Sequence, residues 1–301
     1  MSPQHSPFAL RHIKMLASFV IIGFIFASSV LQVSRANLQK QTPRAIISDD
    51  FTRARPKSGK RVKSTGDSRK PPRKYWPASS LSTKLFGHSN LDTLQLGLTL
   101  WKLEPIAQPT RHSNVMHLEW VAKRVEADTQ FREGDLVRLS IESPRTGYLY
   151  VINRDWFKDG SPGETNLIFP SRGEDNRLEA GKLISIPAEH QSPFRASPKS
   201  NQAGELLTII VTSAPLELPL SKESLPIANT QLVEWEERWS GATQRFELEG
   251  GAGEVRTREE REAASRTRQL TRNDPAPQTI YLLSPKNNDG LLFNLMLSYV
   301  K

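Results

Sequence analysis

Hydrophobic and polar side chains alternate with a period of two along most of the chain after residue 91. In the first such stretch, residues 94–100, leucine occupies every second position, and Gln95, Gly97 and Thr99 lie between the leucines. Successive side chains of a β-strand point to opposite faces of a sheet, so this alternation predicts a strand with one buried face. The other predicted strands span residues 115–125, 136–142, 147–153, 166–170, 182–186, 205–213, 279–283 and 291–300.

The spacing of these segments indicates the fold class. They are short, turn-forming residues separate them, and no regular helical segment lies between the early ones, which favours an antiparallel arrangement. No block of residues repeats at a fixed period, which argues against a solenoid or a propeller. We therefore expect an all-β domain over residues 91–301, an antiparallel Ig-like β-sandwich.

An insertion over residues 217–277 interrupts the strands. Leu232, Trp235 and Trp239 are spaced at i, i+3 and i+7, which predicts a helix with one apolar face. We expect that face to pack against the sandwich; the alternative is an exposed aromatic pair that binds a ligand.

The second half of the insertion, residues 254–272, is charged on almost all sides. Arg256 with Glu260 and Arg258 with Glu262 are spaced as i,i+4 ion pairs. This composition predicts a solvated helix or a flexible loop.

Residues 1–36 are typical of a targeting segment. Arg11 and Lys14 precede the uncharged apolar stretch 15–31, and small residues precede a possible cleavage point after Ala36, as in a secretory signal peptide. The stretch 15–31 is also at the lower limit of length for crossing a bilayer, so an uncleaved N-terminal membrane anchor is the alternative.

Residues 37–90 are predicted to be a disordered basic linker. They hold thirteen Lys and Arg against three Asp, a net charge of +10, whereas residues 91–301 carry twenty-five against twenty-nine acidic residues, a net charge of −4. Such a segment buries too little apolar surface to offset the entropy of ordering. It is either a spacer or a binding segment for an envelope polyanion such as anionic lipid headgroups. Nucleic acid is not an expected partner of an exported chain.

The sequence carries no recognisable catalytic motif. It has no Cys, which excludes disulfides, thiol catalysis and Cys-ligated zinc. It also lacks GxSxG, HExxH, Walker and GxGxxG motifs. His112, His117 and Glu119 are close in sequence but have no spacing specific to a metal site. We expect no catalytic residue, no metal and no cofactor, and therefore a protein that is not an enzyme.

Residues 147–170 predict a β-hairpin, with one strand at 147–153, turn-forming residues at 158–163 and a returning strand at 166–170. Near its tip, Trp156, Phe157, Asp155 and Asp159 are the candidate binding residues. The two aromatic side chains either fold onto the edge of the sandwich or are exposed to a partner. The acidic residues lack the alternation of a calcium-binding loop, so calcium is not expected.

A series of short motifs resembles the bacterial domain of unknown function 4384 family over residues 94–216. These motifs are Phe131-Arg132-Glu133-Gly134-Asp135, Gly147-Tyr148-Leu149-Tyr150, Leu167-Ile168-Phe169-Pro170, Asn176, Ala180-Gly181, Ile186-Pro187, Gly204-Glu205 and Thr212-Ser213. The resemblance implies a β-rich domain of extracytoplasmic bacterial proteins, found elsewhere beside caspase-like peptidase or protein kinase modules. No such module is detectable in this sequence. The family has no established activity, so the resemblance implies no catalytic residue.

Together these observations favour a non-enzymatic exported bacterial β-sandwich module with an interaction or structural role at the cell envelope. Its expected partner is a protein or an envelope polyanion, with membrane anchoring through residues 15–31 if they are not cleaved. The expected location is extracytoplasmic: secreted, periplasmic or membrane-anchored. The alternatives are a carbohydrate- or peptide-binding module that uses Trp156 and Phe157, and a hydrolase with a site assembled from distant residues.

Overall fold

The structure, a computed structural model, describes residues 43–58, 93–108, 117–220, 224–287 and 289–300. The helices of these residues are α1 (Pro43–Arg53), α2 (Asn229–Trp239) and α3 (Arg258–Ala264). The strands, in chain order, are β1 (Leu94–Gln108), β2 (His117–Val125), β3 (Gln130–Phe131), β4 (Leu136–Glu142), β5 (Gly147–Phe157), β6 (Pro162–Phe169), β7 (Arg177–Leu178), β8 (Ile184–Ile186), β9 (Phe194–Arg195), β10 (Gln202–Thr212), β11 (Leu225–Pro226), β12 (Gly241–Glu247), β13 (Thr279–Pro285) and β14 (Gly290–Tyr299).

These strands form two sheets around one core. The first sheet has the order β12-β13-β1-β4-β8, with β2 beside β1 and β9 beside β4. The second has the order β11-β6-β5-β10-β14-β3, with β7 beside β5. The named strands all pair antiparallel except β3, which runs parallel to β14. The predicted all-β sandwich is confirmed.

The core consists of the alternate residues that the sequence pattern assigned to a buried face. Leu96, Leu98 and Leu100 of β1 are at most 1% exposed, and they belong to one cluster with Leu207 and Ile209 of β10 in the other sheet. Removal of these side chains from water is the main force that holds the two sheets together.

The predicted hairpin is confirmed, but its strands are longer than the sequence indicated. β5 continues through Phe157 before the chain turns and returns as β6. Trp156 and Phe157 therefore lie inside a strand and not at the tip. The turn is closed by the amide of Gly160, which donates to the carbonyl of Phe157 at 3.0 Å, and Gly160 has the positive φ of 81° that a glycine adopts readily.

Helix α2 covers the outer face of the second sheet, as its spacing predicted. Leu232, Trp235 and Trp239 are buried and pack in one cluster with Tyr150 and Ile152 of β5. The two indole rings stack with their centroids 6.2 Å apart. The apolar face of α2 is therefore structural, and the alternative of an exposed aromatic pair is wrong.

The charged segment 254–272 is more ordered than predicted. Only residues Arg258–Ala264 are helical, and the helix begins at a capping box in which Thr257 and Glu260 each bind the other's backbone N–H. Ala263 packs with Leu183 in a small apolar cluster. The segment lies against the sandwich as well as facing solvent.

Two arginines of this segment behave differently. Arg258 pairs with Glu262 at 2.8 Å, as the i,i+4 spacing predicted. Arg256 precedes the helix and binds Glu189 at 2.9 Å, so its predicted pairing with Glu260 is wrong. Its guanidinium carbon lies 5.2 Å from the ring centre of buried Trp101, on the outer face of the first sheet.

Residues 43–58 correct the prediction of a disordered linker over residues 37–90. Ile47 and Phe51 of α1 are buried against Ile280 on the outer face of the first sheet. Gly97 makes this possible, because a Cβ at that position would lie 2.7 Å from the Phe51 ring. Ile47 and Phe51 lie one helical turn apart, and Phe51 packs in the space above Gly97. This packing orders a segment whose charged composition predicts disorder.

Arg55 fixes the residues that follow α1. It is 2% exposed, and its Nε and Nη2 bind the Glu142 carboxylate at 3.0 and 2.6 Å. It also donates to the carbonyls of Thr271, Asp274 and Pro275 at 3.3, 2.8 and 3.0 Å. The buried guanidinium is thus paired with one carboxylate through two hydrogen bonds, and its other N–H groups bind carbonyls. It joins the residues after α1 to β4 and to the loop at residues 271–275.

Among the described residues, no helix is both long and apolar enough to cross a membrane. The predicted signal peptide or anchor at residues 1–36, with the apolar stretch 15–31, lies outside them.

Candidate functional site

One end of the sandwich interior is polar. On β5, Leu149 and Val151 belong to the core, and Asn153 and Asp155 continue the same face toward the end of the strand. On the neighbouring strand β10, Glu205 continues the face that Leu207 and Ile209 begin, and it stands directly opposite Asp155 in the strand register. Carboxyl and amide groups thus occupy positions where the alternation predicts apolar residues.

A cavity of about 180 Å³ opens at this end, and we call it the end pocket. It lies between the sheets, and most of its wall is apolar. The residues that line it are Phe131, Val137, Asn153, Ile168, Phe194, Arg195, Ala196, Glu205, Leu207, Leu297 and Tyr299. An apolar cavity with a few convergent polar groups is the usual form of a binding pocket.

Glu205 is the central polar group of the end pocket. Tyr299 donates its hydroxyl to Oε1 of Glu205 at 2.5 Å, and the side chain of Asn153 also hydrogen-bonds to the carboxyl. Burial raises the pKa of Glu205, and the negative charge of Asp155 raises it further, while both hydrogen bonds and the charge of Lys199 lower it. Burial also raises the pKa of Tyr299, and so does its hydrogen bond to Glu205. Both groups therefore hold their protons more tightly than usual.

Asn153 leaves one hydrogen-bonding atom unused. Its Oδ1 is buried and accepts no hydrogen bond from the described residues. A buried acceptor without a donor costs roughly 1–3 kcal/mol relative to one that is satisfied. Asn153 belongs to the lining of the end pocket beside Glu205, but this oxygen itself has almost no contact with solvent.

Asp155, a predicted binding residue, lies beside the end pocket but is already engaged. Lys199 Nζ donates to its Oδ2 at 2.5 Å, and Gln202 Nε2 donates to its Oδ1 at 2.9 Å. The hydrogen bond to Asp155 raises the pKa of Lys199. Asp155 therefore positions the loop before β10 and places a negative charge next to Glu205.

The two predicted aromatic residues do not form a shared platform. Trp156 and Phe157 are consecutive in β5, so their side chains point to opposite faces, and each is partly buried. Trp156 packs beneath Arg154, whose guanidinium carbon lies 5.8 Å from the ring centre. Phe157 turns toward Gly163, where a Cβ would lie 3.1 Å from its ring.

The fourth predicted residue, Asp159, serves the turn. Its Oδ1 accepts from the backbone N–H and the hydroxyl of Ser161 at 3.0 and 2.6 Å. Both hydrogen bonds lower the pKa of Asp159, and the bond from the Ser161 hydroxyl has the larger effect. The carboxylate closes the hairpin, as Asp commonly does in turns.

Glu205, Asn153 and Tyr299 were not among the predicted site residues. The signal in the sequence was a polar residue on the core face of a strand, two positions before Leu207 and two after Leu297. Alternation shows which residues of a strand share a face. It does not show at which residue the packed core ends and a cavity begins.

A larger open cavity of about 660 Å³ lies between the loop at Ser171 and the end of α3. Glu189 in its wall accepts from Arg256 and Ser185 at 2.9 and 2.6 Å and forms an ion pair with Arg138 at 3.1 Å. Some guanidinium nitrogens of the two arginines have no described partner, but neither arginine lines the cavity. The other carboxylate in the wall, Glu174, accepts from Ser171 and Gln191, so both carboxylates are already engaged and the end pocket is the better candidate.

No group of three or more His, Cys, Asp or Glu within the described ranges could hold a metal ion. His112 lies outside those ranges.

No family model, curated protein or solved structure matches the chain. The resemblance to the domain of unknown function 4384 family remains a prediction.

Proposed function

We propose that the chain is a non-enzymatic exported β-sandwich module that binds a partner protein at the end pocket. The observation that carries this proposal is a mostly apolar cavity between the sheets whose lining includes the half-buried carboxyl of Glu205. A peptide segment offers both an apolar side chain for the wall and an N–H donor for this carboxyl.

The hydrogen bonds around the pocket support binding in preference to catalysis. A hydrolase would need a free nucleophile or a carboxylate pair with room for water. Asp155 already accepts from Lys199 and Gln202, and the hydroxyl of Tyr299 is bound to Glu205 with a raised pKa. Both groups are thus already engaged by partners within the chain, and neither is a free nucleophile.

Selection of displayed peptides on the full chain tests the proposal. The variant Ala196→Leu puts a larger side chain into the cavity, and the control Val233→Leu places a leucine on the surface of α2, where Val233 is 49% exposed. We expect selected peptides to bind the wild type and Val233→Leu equally and to lose about tenfold or more in affinity for Ala196→Leu, because buried anchor contacts dominate such interfaces. Absence of enriched peptides, or equal binding by Ala196→Leu, contradicts the proposal. Urea unfolding of both variants checks that they remain folded.

The extracytoplasmic location is part of the same proposal and has its own test. Mass spectrometry of the chain recovered from bacterial fractions measures where it begins. A start at Asn37 indicates cleavage after Ala36, and the full mass in the membrane fraction indicates an anchor. A full-length chain in the cytoplasm contradicts export.

A further inference from the structure

We propose that the end pocket binds a primary alkylammonium group, carried on a lysine side chain of the partner or on a free alkylamine. This inference rests on the proposed function and names the chemistry that its site recognises.

The pocket presents acceptors and lacks a countercharge. Glu205 forms no ion pair with any described Lys or Arg, because Lys199 is bound to Asp155 and Arg195 stands in the lining without reaching the carboxylate. A half-buried carboxylate is stabilised by a paired cation. An ammonium group brings that positive charge together with N–H donors for the Glu205 carboxylate.

The apolar wall suits the stem of the same ligand. Phe131, Phe194, Leu207 and Leu297 line the cavity around the acceptors. A lysine side chain places its methylenes along an apolar surface and its charge at a polar point. The volume of about 180 Å³ is enough for a single unbranched side chain.

Other ligand classes fit less well. An anion would be repelled by Glu205 and by Asp155 opposite it. A neutral hydroxyl or amide would supply donors but leave the carboxylate without countercharge. A guanidinium binds best as a planar fork to two coplanar acceptors, and one oxygen of Glu205 already shares its lone pairs with Tyr299.

Calorimetric titration of the full chain at low salt tests the inference with four small probes. These are n-butylammonium and Nα-acetyl-lysine amide, each compared with its neutral counterpart, n-butanol or Nα-acetyl-norleucine amide. Tetramethylammonium, which has the charge without N–H donors, controls for ionic strength. We expect the two ammonium probes to bind at one site and the neutral compounds and tetramethylammonium not to bind.

The lysine derivative and the simple amine distinguish the two sources. Tighter binding of Nα-acetyl-lysine amide indicates a lysine of a protein partner, and equal binding indicates a free alkylamine. Either outcome supports the inference. Binding of the neutral compounds as well as the ammonium probes, or of none of them at millimolar concentration, overturns it.

A variant and a pH series add two independent readouts. Glu205→Gln should weaken ammonium binding about tenfold or more, while exposed Glu254→Gln should leave it unchanged. In the wild type, binding should weaken as pH falls through the raised pKa of Glu205. The charged groups around it are Asp155, Lys199 and Arg195, and the neutral hydroxyl of Tyr299 is bound to it. Unchanged binding across that range overturns the inference even if Glu205→Gln does not fold.

The two proposals fail separately. Selected peptides that bind without lysine leave the interaction function standing and overturn the ammonium site. Ammonium binding without any selected peptide leaves the site standing and overturns the interaction with a partner protein.

Discussion

Glu205 occupies a position of β10 whose neighbours on the same face, Leu207 and Ile209, are buried core residues. A carboxyl group in such a position must either keep its proton or be hydrogen-bonded and paired. Here it is hydrogen-bonded by Tyr299 and Asn153 but not paired with a cation. The stability of the folded domain should therefore depend on the protonation of this one group.

Replacement of Glu205 by Gln should change how stability varies with pH. Burial raises the pKa of Glu205 above its ordinary value of 4.5, so the folded state binds the proton more tightly than the unfolded state. The stability that the protonated carboxyl contributes is complete below pH 4.5 and is lost as pH rises through the folded-state pKa. Urea unfolding from pH 4 upward should show that the wild type loses stability relative to Glu205→Gln. If the unfolding free energies of the wild type and Glu205→Gln changed in parallel with pH, this expectation would be refuted. The control Glu254→Gln should follow the wild type.

The residues of the site could be predicted only in part from the sequence. Asp155 was a predicted binding residue, and it does lie beside the pocket, opposite Glu205. Asp159, Trp156 and Phe157 stood out by their chemistry but serve the turn and the strand. Glu205 looked ordinary, because its importance comes from its opposite neighbour on β5, and strand register is a property of the fold.

At the level of elements, packing of α1 on the first sheet should make a large contribution to stability. Phe51 is 1% exposed and fills the space above Gly97. Phe51→Ala should destabilise the domain by roughly 3–5 kcal/mol, because a cavity remains in place of the ring. The control is Arg53→Ala in the same helix, which should change stability by less than about 0.5 kcal/mol, since its side chain is 64% exposed. Urea unfolding measures the stability of both variants. If Phe51→Ala lost no more stability than Arg53→Ala, α1 would not be firmly docked.

The buried ion pair between Arg55 and Glu142 should also stabilise the domain. Arg55→Met leaves the carboxylate of Glu142 buried without its partner, which should cost roughly 3–5 kcal/mol. The double variant with Glu142→Leu removes both charges and should recover much of the loss. Thermal unfolding of the single and double variants tests this. If the double variant were as unstable as Arg55→Met, the loss would come from packing and the backbone hydrogen bonds of Arg55, and not from the uncompensated charge.

The regular elements were predicted well and the irregular ones poorly. Strands with one buried face have a clear period of two, as in β1, and the apolar face of α2 has a clear helical spacing. β12 was not predicted because it lies at a sheet edge with mostly exposed polar residues, which carry no alternation. α1 was not predicted because the charge of the surrounding residues outweighed its two apolar positions.

Over the whole molecule, charge is divided between a basic N-terminal part and a mildly acidic domain. Residues 59–92, which follow the docked segment, carry eight Lys and Arg against two Asp. We expect deletion of residues 59–92 to leave urea unfolding unchanged and to weaken sedimentation with phosphatidylglycerol vesicles. In the intact chain that sedimentation should decrease between about 50 and 200 mM salt, because ions screen surface charges. Equal sedimentation of both chains would assign these residues a spacer role only.

The limits of that deletion matter. Removal that begins at or before residue 55 takes away Arg55, and removal that begins at or before residue 51 takes away Phe51 as well, so loss of binding could follow from loss of folding. A matched control that replaces the eight basic residues with Gln keeps the length of the segment and removes only its charge. Loss of vesicle binding in this control as well would assign the effect to electrostatics.

The docking of Arg55 also sets an order of events during synthesis. Its carbonyl partners at Thr271, Asp274 and Pro275 are 216, 219 and 220 residues later in the chain. At about 5–20 residues per second, they leave the ribosome roughly 10–45 s after Arg55 does. Throughout that interval the arginine and the Phe51 ring cannot reach their final positions. The part of the described domain that is made first therefore cannot close until its C-terminal residues have been made, and it stays open to other proteins while they are translated.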